Sequence, residues 1–205
     1  MRFTDPLNDV FQGRSHVKVL RALLALPDGI DASIRELARR AGVTHPTASS
    51  VLESFRTQGL ALRRRTLLAD EYRINREHTL MSPLIAILKI ESQIQQELET
   101  FMRDEIAARA PWVQEAYLFG SAVTGGMQPD SDIDLALICP TRKKDRLATL
   151  MEELSEETKL RFGNPLGVSI GTRPVKDLAQ PRQSGYRLWQ RVAKDGVRLL
   201  PEGTA

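Results

Sequence analysis

The sequence predicts an α+β protein built in three consecutive parts. Apolar residues recur at helical spacing through the first 60 residues, and a long helical pattern then covers residues 78–110. Two strand patterns separated by a glycine-rich turn follow in residues 113–139. We therefore expect an N-terminal helical domain at 1–77, a connecting helix at 78–110, and at 111–205 a mixed β-sheet with flanking helices.

The composition favours a soluble cytoplasmic protein. The 205-residue chain is 41% hydrophobic, but no apolar run approaches the ~20 residues that a membrane span needs. The first residues, "MRFTDPLNDV", lack the apolar core of a secretory signal. A single cysteine, Cys139, excludes an internal disulfide and follows four apolar residues, which is typical of a buried small side chain.

Positive charge is concentrated at the N-terminal end of the chain. The formal net charge is +3, and residues 1–80 carry 13 Lys and Arg against 9 Asp and Glu. This excess places any contact with a polyanion in the N-terminal third.

The N-terminal third has the spacing of a helix-turn-helix. Residues 15–26 predict a first helix with Ser15 as its N-cap, and Ser33 opens a capping box for a second, short helix. A tight turn at 41–43 leads to Thr44, which caps a third helix that ends at Gly59. A short helix, a turn and a helix with small polar residues outside is the pattern of a DNA-reading element.

The outer face of the third helix and the segment after it supply the predicted DNA contacts. Two strand patterns around a turn near Asp70 predict a hairpin. Its first strand is basic, so we expect the hairpin to contact DNA phosphates. The stretch at 14–76 resembles the winged helix-turn-helix family of bacterial regulators, which implies binding to double-stranded DNA. The predicted DNA-binding residues are His45, Thr47, Ser49, Ser50, Arg56, Arg63, Arg64 and Arg65.

Two other interpretations stay open for this third. Adjacent arginines are often only a solvated face, and helix-turn-helix folds also dock proteins. The connecting helix is ambiguous as well, because its apolar stripe either packs along its own domains or forms the seam of a homodimer.

The C-terminal part contains an unusual acidic pair. A strand ending at Phe119 runs into Gly120-Ser121, and Asp132 and Asp134 follow beyond a second turn. Side chains two residues apart on a strand project to the same face, so the two carboxylates repel unless a cation lies between them. Mg²⁺, or Mn²⁺ in its place, suits such a site because it takes oxygen ligands and can bind the carboxylates and the phosphates of a substrate at the same time.

The glycine–serine turn completes a site for a phosphorylated substrate. Gly120 lets the backbone approach a phosphate closely, and the N–H and hydroxyl of Ser121 can donate to phosphate oxygens. A triphosphate held by this turn and bridged through a metal to two aspartates is a layout for attack on phosphorus.

The stretch "GSAVTGGMQPDSDIDLAL" resembles the signature of the DNA polymerase β nucleotidyltransferase superfamily, over about residues 111–200. The resemblance implies that Gly120 and Ser121 hold the phosphates of an NTP and that Asp132 and Asp134 are catalytic metal ligands. It also implies transfer of a nucleoside monophosphate to a hydroxyl, with release of pyrophosphate. The whole chain resembles a bacterial group that fuses a winged helix to a minimal domain of this kind.

The chain departs from that family pattern at a third carboxylate. The hydrophobic-X-hydrophobic position on the later strand is Val168-Ser169-Ile170, so Ser169 stands where an acid is expected. Asp177 is the nearest substitute in sequence, and Thr124 replaces an arginine before the second glycine. The cations at 142–146 are explained either as a solvated surface or as contacts to phosphates.

Three functions stay open at this point. The chain is a nucleotidyltransferase directed to DNA or to a partner protein, or a regulator whose second domain only binds nucleotide. The third is an antitoxin-like protein that attaches nucleotides to a protein partner while its winged helix controls its own operon.

Overall fold

The computed structural model describes residues 13–201, which divide into two compact units at Ser92 and Gln93. Residues 1–10, in which the sequence analysis found no apolar core of a secretory signal, lie outside the described range. Across residues 13–201, no helix is long and apolar enough to cross a membrane. Helices and strands occur in both units, which confirms the predicted α+β class.

The first unit contains three helices, a small three-stranded sheet and the beginning of a longer helix. Its strand order is β1-β3-β2 with antiparallel pairs, so the predicted hairpin is present. The edge strand β1 was not predicted; its two residues pair with Tyr72 and Glu71. The elements are α1 (Arg14–Leu24), β1 (Ala32–Ser33), α2 (Ile34–Ala41), α3 (His45–Thr57), β2 (Ala61–Arg65) and β3 (Asp70–Ile74).

Local sequence signals explain where the second and third helices begin. Ser33 and Thr44 cap α2 and α3, and each hydroxyl accepts a hydrogen bond from the backbone N–H three residues on, at 3.3 and 3.4 Å. Gly42, with φ of 59°, ends α2 in the left-handed region and turns the chain into α3. The prediction for Ser15 is wrong, because α1 already begins at Arg14 and the serine lies inside the helix.

The long helix α4 (Met81–Arg109) continues from the first unit into the second. In the first unit, Met81 is buried among the side chains of α1 to α3, such as Leu23 and Leu52. In the second unit, Leu98 and Ile106 are buried in the core beneath the larger sheet. The helix therefore contributes apolar residues to each core separately.

The second unit is a four-stranded mixed sheet with helices on both faces. The strand order is β6-β5-β4-β7; β5 and β6 are parallel, and the other pairs are antiparallel. The elements are β4 (Glu115–Phe119), α5 (Ser121–Thr124), β5 (Ile133–Ile138), a 3₁₀ turn (Thr141–Lys143), α6 (Lys144–Phe162), β6 (Leu166–Gly171), α7 (Val175–Leu178), α8 (Tyr186–Asp195) and β7 (Val197–Arg198).

Alternation along β5 assigns its residues to two cores. Ile133, Leu135 and Leu137 face the core shared with α4 and α6, where Cys139 is also buried as predicted. Ala136 and its neighbours on the opposite face pack against α7 and α8. Asp134 has the same parity as Ala136, so it belongs to the face covered by these two short helices.

Candidate functional site

The two aspartates of the predicted site come together at the start of β5. Asp132 lies in the loop entering the strand, and Asp134 pairs with Phe119, the last residue of β4. A Cβ built on Gly167 of β6 would lie 3.2 Å from Asp134 Oδ1 and 3.7 Å from Asp132 Oδ2. Both carboxylates therefore border one space on the same side of the sheet.

Gly120 is packed directly against this acidic pair. Its backbone has φ of 73° and ψ of −147°, a region that is almost restricted to glycine. A Cβ at this position would overlap Asp134 Oδ2 and stand 3.1 Å from Asp134 Cγ. The residue is glycine both because of its backbone conformation and because the carboxylate occupies the space of a side chain.

The short helix α5 begins immediately after Gly120. The Thr124 hydroxyl donates to the Gly120 carbonyl oxygen at 3.0 Å, and this bond closes the turn. The first N–H groups of a helix have no acceptor within that helix, so the N–H of Ser121 is directed outward from the helix start. The predicted phosphate-binding pair thus lies beside the aspartates, with Thr124 in a structural role.

The register of β6 corrects the position predicted for a third carboxylate. Asp134 is in register with Gly167, whereas Ser169 is in register with Ala136, two residues farther along the strands. The residue beside the acidic pair is therefore Gly167, and the prediction for Ser169 is wrong. Strand β6 contains no acidic residue at either position.

Burial and charge both act on Asp134. The pKa of its carboxyl is raised, first by burial and then by the nearby carboxylate of Asp132, while the Arg191 guanidinium opposes the change. Arg191 lies on α8, the helix that covers this face of the sheet through Trp189 and Val192. Sequence reasoning missed Arg191, because its approach to Asp134 depends on how α8 packs against the sheet.

The two carboxylates fit a divalent ion that is bound by the protein and by a substrate together. Among residues 13–201, no group of three His, Cys, Asp or Glu could hold a metal, so Asp177 does not join the pair and its role as a substitute ligand is not supported. An ion bound by two carboxylates keeps several coordination positions for water and phosphate oxygens. Mg²⁺ commonly binds with nucleotides in this way.

Asn164, which the sequence analysis missed, holds the loop that carries Asp132. Its side chain is 1% exposed, and its amide nitrogen donates to the carbonyl oxygens of Pro129 and Ser131, at 3.1 and 2.8 Å. The loop is attached again where Ile133 N–H donates to the Pro165 carbonyl oxygen at 2.9 Å. The entry to β5 is thus tied to the entry to β6.

The predicted DNA-binding face of α3 is only partly available. His45 and Ser50 are exposed, whereas Thr47 and Ser49 are half-buried. The Thr47 hydroxyl also lies 2.8 Å from the Thr44 hydroxyl, within hydrogen-bonding distance. Of the polar residues on this helix that are predicted to contact DNA, His45 and Ser50 therefore have the most accessible side chains.

The arginines after Ser50 differ in their partners. Arg56 is paired with Glu53 at 2.6 Å, and Arg63 lies 3.6 Å from Asp70. Arg64 is paired with Asp31 of the chain before β1, at 2.9 Å, and with a carboxylate on β3.

Arg65 differs from its two neighbours on β2. Its side chain is exposed, and among the described residues no ion pair holds it. It is therefore the arginine of the hairpin whose charge is most available to a phosphate.

Comparison with known families finds one match in each half of the chain. Residues 13–66 match the MarR family, and residues 103–168 match the family described as Polymerase beta, Nucleotidyltransferase. The chain is a MarR-like winged helix joined to a nucleotidyltransferase-type domain. This confirms the resemblances drawn from the sequence motifs.

Solved structures show weaker likeness. A mutant MntA–HpeT toxin–antitoxin complex is 18% identical over 51% of this chain and 74% of that chain, with a TM-score of 0.37. A toxin–antitoxin structure with AMP-PNP is 22% identical at the same coverage and TM-score. A MarR-family regulator from Silicibacter pomeroyi is 14% identical over 52% and 82%, with a TM-score of 0.38. Scores this low do not establish a shared overall fold, so the two family matches decide the assignment.

The cations of the nucleotidyltransferase-type domain lie away from the acidic pair. Arg142, Lys143, Lys144 and Arg146 are at the start of α6, whereas Asn164, just after its end, contacts the loop of Asp132. A helix of 19 residues is about 28 Å long, so these side chains do not reach phosphates held at the aspartates. Instead, Lys143 and Arg146 stack on the Trp112 ring, with 4.9 and 4.6 Å to its centroid.

Proposed function

We propose that this protein is a metal-dependent nucleotidyltransferase with a winged helix that binds double-stranded DNA. In this proposal Asp132 and Asp134 bind Mg²⁺ or Mn²⁺, and Gly120 and Ser121 hold the phosphates of an NTP. The observation that carries the proposal is the position of the two carboxylates, which border one space between two glycines. Glycines there leave room for a metal and a phosphate and allow close backbone approach.

The chemistry assigned to the site is transfer of a nucleoside monophosphate to a hydroxyl. When bound, the divalent ion neutralises charge that develops on the phosphate oxygens. The acceptor oxygen forms a bond to the α-phosphorus, and the bond from that phosphorus to the oxygen bridging the β-phosphate breaks. Pyrophosphate leaves with the electron pair, and the hydroxyl proton passes to water. The chain's own residues orient the triphosphate through Ser121 N–H and keep the two carboxylates in register.

The absence of an acid at Gly167 favours a second candidate, in which the domain binds a metal–nucleotide complex without turnover and acts as a sensor for the winged helix. A missing metal ligand removes charge stabilisation that is needed mainly in the transition state. Nucleotide binding is then retained while transfer is lost.

Exposed isoleucines on α4 support the predicted homodimer. Ile87 and Ile90 are 37% and 58% exposed, and their spacing places them on one side of the helix. Pairing of two copies through α4 would bury both side chains and present two winged helices to DNA half-sites. Light scattering of the wild type and of Ile90→Glu tests this, since a monomer in the wild type would contradict it.

Labelled nucleotide separates the two functional candidates. The protein is incubated with α-³²P-labelled NTPs, Mg²⁺ or Mn²⁺, and duplex DNA or candidate protein acceptors. We expect the wild type to bind nucleotide and transfer label, and Asp132→Asn to lose both. Asp130→Asn, an exposed carboxylate two residues earlier, is the matched control and should behave as wild type.

Each outcome of this experiment has a definite meaning. Binding without transfer in the wild type supports the sensor. Metal-independent binding, or equal labelling by wild type and Asp132→Asn, refutes the assignment of the site.

A further inference from the structure

No strand of the described part of the chain pairs with the outer edge of β6. Strand β6 is the last strand in the order β6-β5-β4-β7, and its inner side is bonded to β5. Cys139 N–H donates to the Gly171 carbonyl oxygen at 3.0 Å, so Gly171 faces β5 and, by alternation in a parallel ladder, Ser169 and Gly167 do too. Val168 and Ile170 therefore direct their backbone N–H and C=O groups away from the sheet.

Within residues 13–201, a hydrogen bond is formed at the first outward position, Leu166. Leu166 N–H donates to the Ser155 hydroxyl of α6 at 2.9 Å. No described residue forms a hydrogen bond with the N–H groups of Val168 or Ile170. The strand also lacks the charged side chains and prolines that usually protect an exposed edge.

A groove of about 370 Å³ runs beside this edge, between β6 and α6. Its apolar surface includes the half-buried side chains of Val168 and Ile170 and the buried Met151. Glu152 and Glu156 form its acidic rim; both are exposed, and neither has an ion-pair partner among the described residues. One helical turn separates them, about 5–6 Å between their Cβ atoms.

We propose that the β6 edge binds an extended segment of another protein, with alternating Lys or Arg residues, and that this segment carries the acceptor hydroxyl. Alternate side chains of an extended chain are about 6.6 Å apart, which matches the spacing of the two glutamates. A second copy of this chain is a poorer occupant, because pairing two β6 edges would bring their acidic rims together.

The added strand places its other face beside the aspartates. Asp134 and Gly167 are register partners on adjacent strands, so the residue paired with Gly167 on an added strand lies about 10 Å from Asp134, or twice the strand spacing. Its side chain points to the same face as Asp134. This gap accommodates the metal and the α-phosphate of a nucleotide, and a serine, threonine or tyrosine hydroxyl is then within reach of the phosphorus. The acceptor role rests on the proposed function.

Transfer to this segment is the same reaction as transfer to any other hydroxyl. The side-chain oxygen forms the new bond to the α-phosphorus of the NTP, and pyrophosphate departs with the electrons of the broken bond. The hydroxyl proton is released to water, and no oxidant or further reactant is required.

A designed peptide tests the edge directly. The probe is fluorescein-labelled Lys-Val-Lys-Tyr-Lys-Val-Lys, whose lysines share one face and whose tyrosine lies on the other. Its control has the same sequence with methylated backbone nitrogens at alternate residues, which preserves charge but removes the edge hydrogen bonds. By fluorescence anisotropy, we expect the control to bind at least about tenfold more weakly.

Variants of the protein separate strand addition from charge attraction. Val168→Pro removes an outward N–H that β5 does not use, and Val168→Ala is its matched control. Glu152→Gln with Glu156→Gln changes only the exposed rim, so it tests the charge without endangering the fold. We expect weaker peptide binding by Val168→Pro and by the double variant, with metal–nucleotide binding unchanged.

The outcomes distinguish this inference from the proposed function. Equal affinity for both peptides, or no binding at about 1 mM, overturns strand addition at β6. Peptide binding without label transfer from NTP to the tyrosine overturns the acceptor role. Intact peptide binding with no metal–nucleotide binding instead refutes the proposed nucleotide site.

Discussion

Replacing Gly120 with alanine tests whether the turn and the acidic pair form a single unit. The substitution adds one methyl group beside Asp134 without changing any charge or polar atom. If the carboxylates bind a metal tightly only in their present positions, this one carbon should weaken binding at the site while the domain still folds. We therefore expect Gly120→Ala to bind the metal–nucleotide complex more weakly than the wild type.

The expected size of the effect follows from the geometry at Gly120. Its φ of 73° and ψ of −147° cost a non-glycine residue about 1–3 kcal/mol. For a chain of this size, that corresponds to a Tm lowered by about 2–12 °C. The new methyl would also stand 3.1 Å from Asp134 Cγ and overlap Oδ2, so the carboxylate must turn away. Loss of a group that positions a metal ligand costs roughly 10–100-fold in affinity.

Gly185→Ala is the matched control for backbone strain. Gly185 has φ of 70° in the same unit, and a Cβ there meets nothing within 4 Å. It should lower the Tm by a similar or smaller amount, for a cost of about 1–2 kcal/mol. Calorimetric titration with Mg²⁺ and non-hydrolysable NTP analogues, together with thermal melting, measures both quantities. If Gly120→Ala binds as tightly as Gly185→Ala, the turn does not control the carboxylates and the reasoning fails.

Three further changes probe charge. The raised pKa of Asp134 means that its ionised form costs the folded protein stability above the ordinary pKa of about 3.9. With a chelator present, Asp134→Asn should therefore raise the Tm at pH 7 but not at pH 3. An unchanged or lowered Tm at pH 7 would contradict this. Arg65→Glu should weaken duplex binding and lower its salt slope by about 1, whereas Arg64→Glu should mainly destabilise the hairpin; equal slopes would contradict this. Hydrogen bonds from two arginines lower the pKa of Glu36 to about 2, so its contribution is full above the unfolded value and is lost as pH falls towards 2. The Tm difference between wild type and Glu36→Gln should vanish over that range, and a constant difference would exclude the ionic cause.

Much of the fold follows from local signals. Helical periodicity and the capping hydroxyls of Ser33 and Thr44 act within a few residues, so they can be recognised without a structure. The hairpin and the Gly120 turn were predicted for the same reason. Strand β1 was missed because two residues carry no periodicity, and their conformation depends on pairing with β3.

The errors at the candidate site have a common physical origin. The alignment of β6 with β5 determines whether Gly167 or Ser169 meets the acidic pair, and a pattern of alternating apolar residues is the same in either register. Hydrogen bonds from Asn164 to residues more than 30 positions away, and the approach of Arg191 on α8, also depend on long-range packing. No short-range signal identifies such partners.

The hairpin shows the same limit for charge. Three consecutive arginines look equivalent in sequence, yet Arg63 and Arg64 form ion pairs with carboxylates of other segments, while Arg65 forms none with any described residue. Which cations remain available to a phosphate is decided by the residues that the fold brings beside them.

The sequence by itself determined the α+β class, the two successive domain types and the acidic pair after a glycine turn, because each is encoded over a few adjacent residues. Only the tertiary structure decided that Gly167 adjoins this pair, that Arg191 and Asn164 act on it, and that no strand within residues 13–201 pairs with the outer edge of β6. These features arise where distant segments pack together, and strand register and packing are properties of the whole chain.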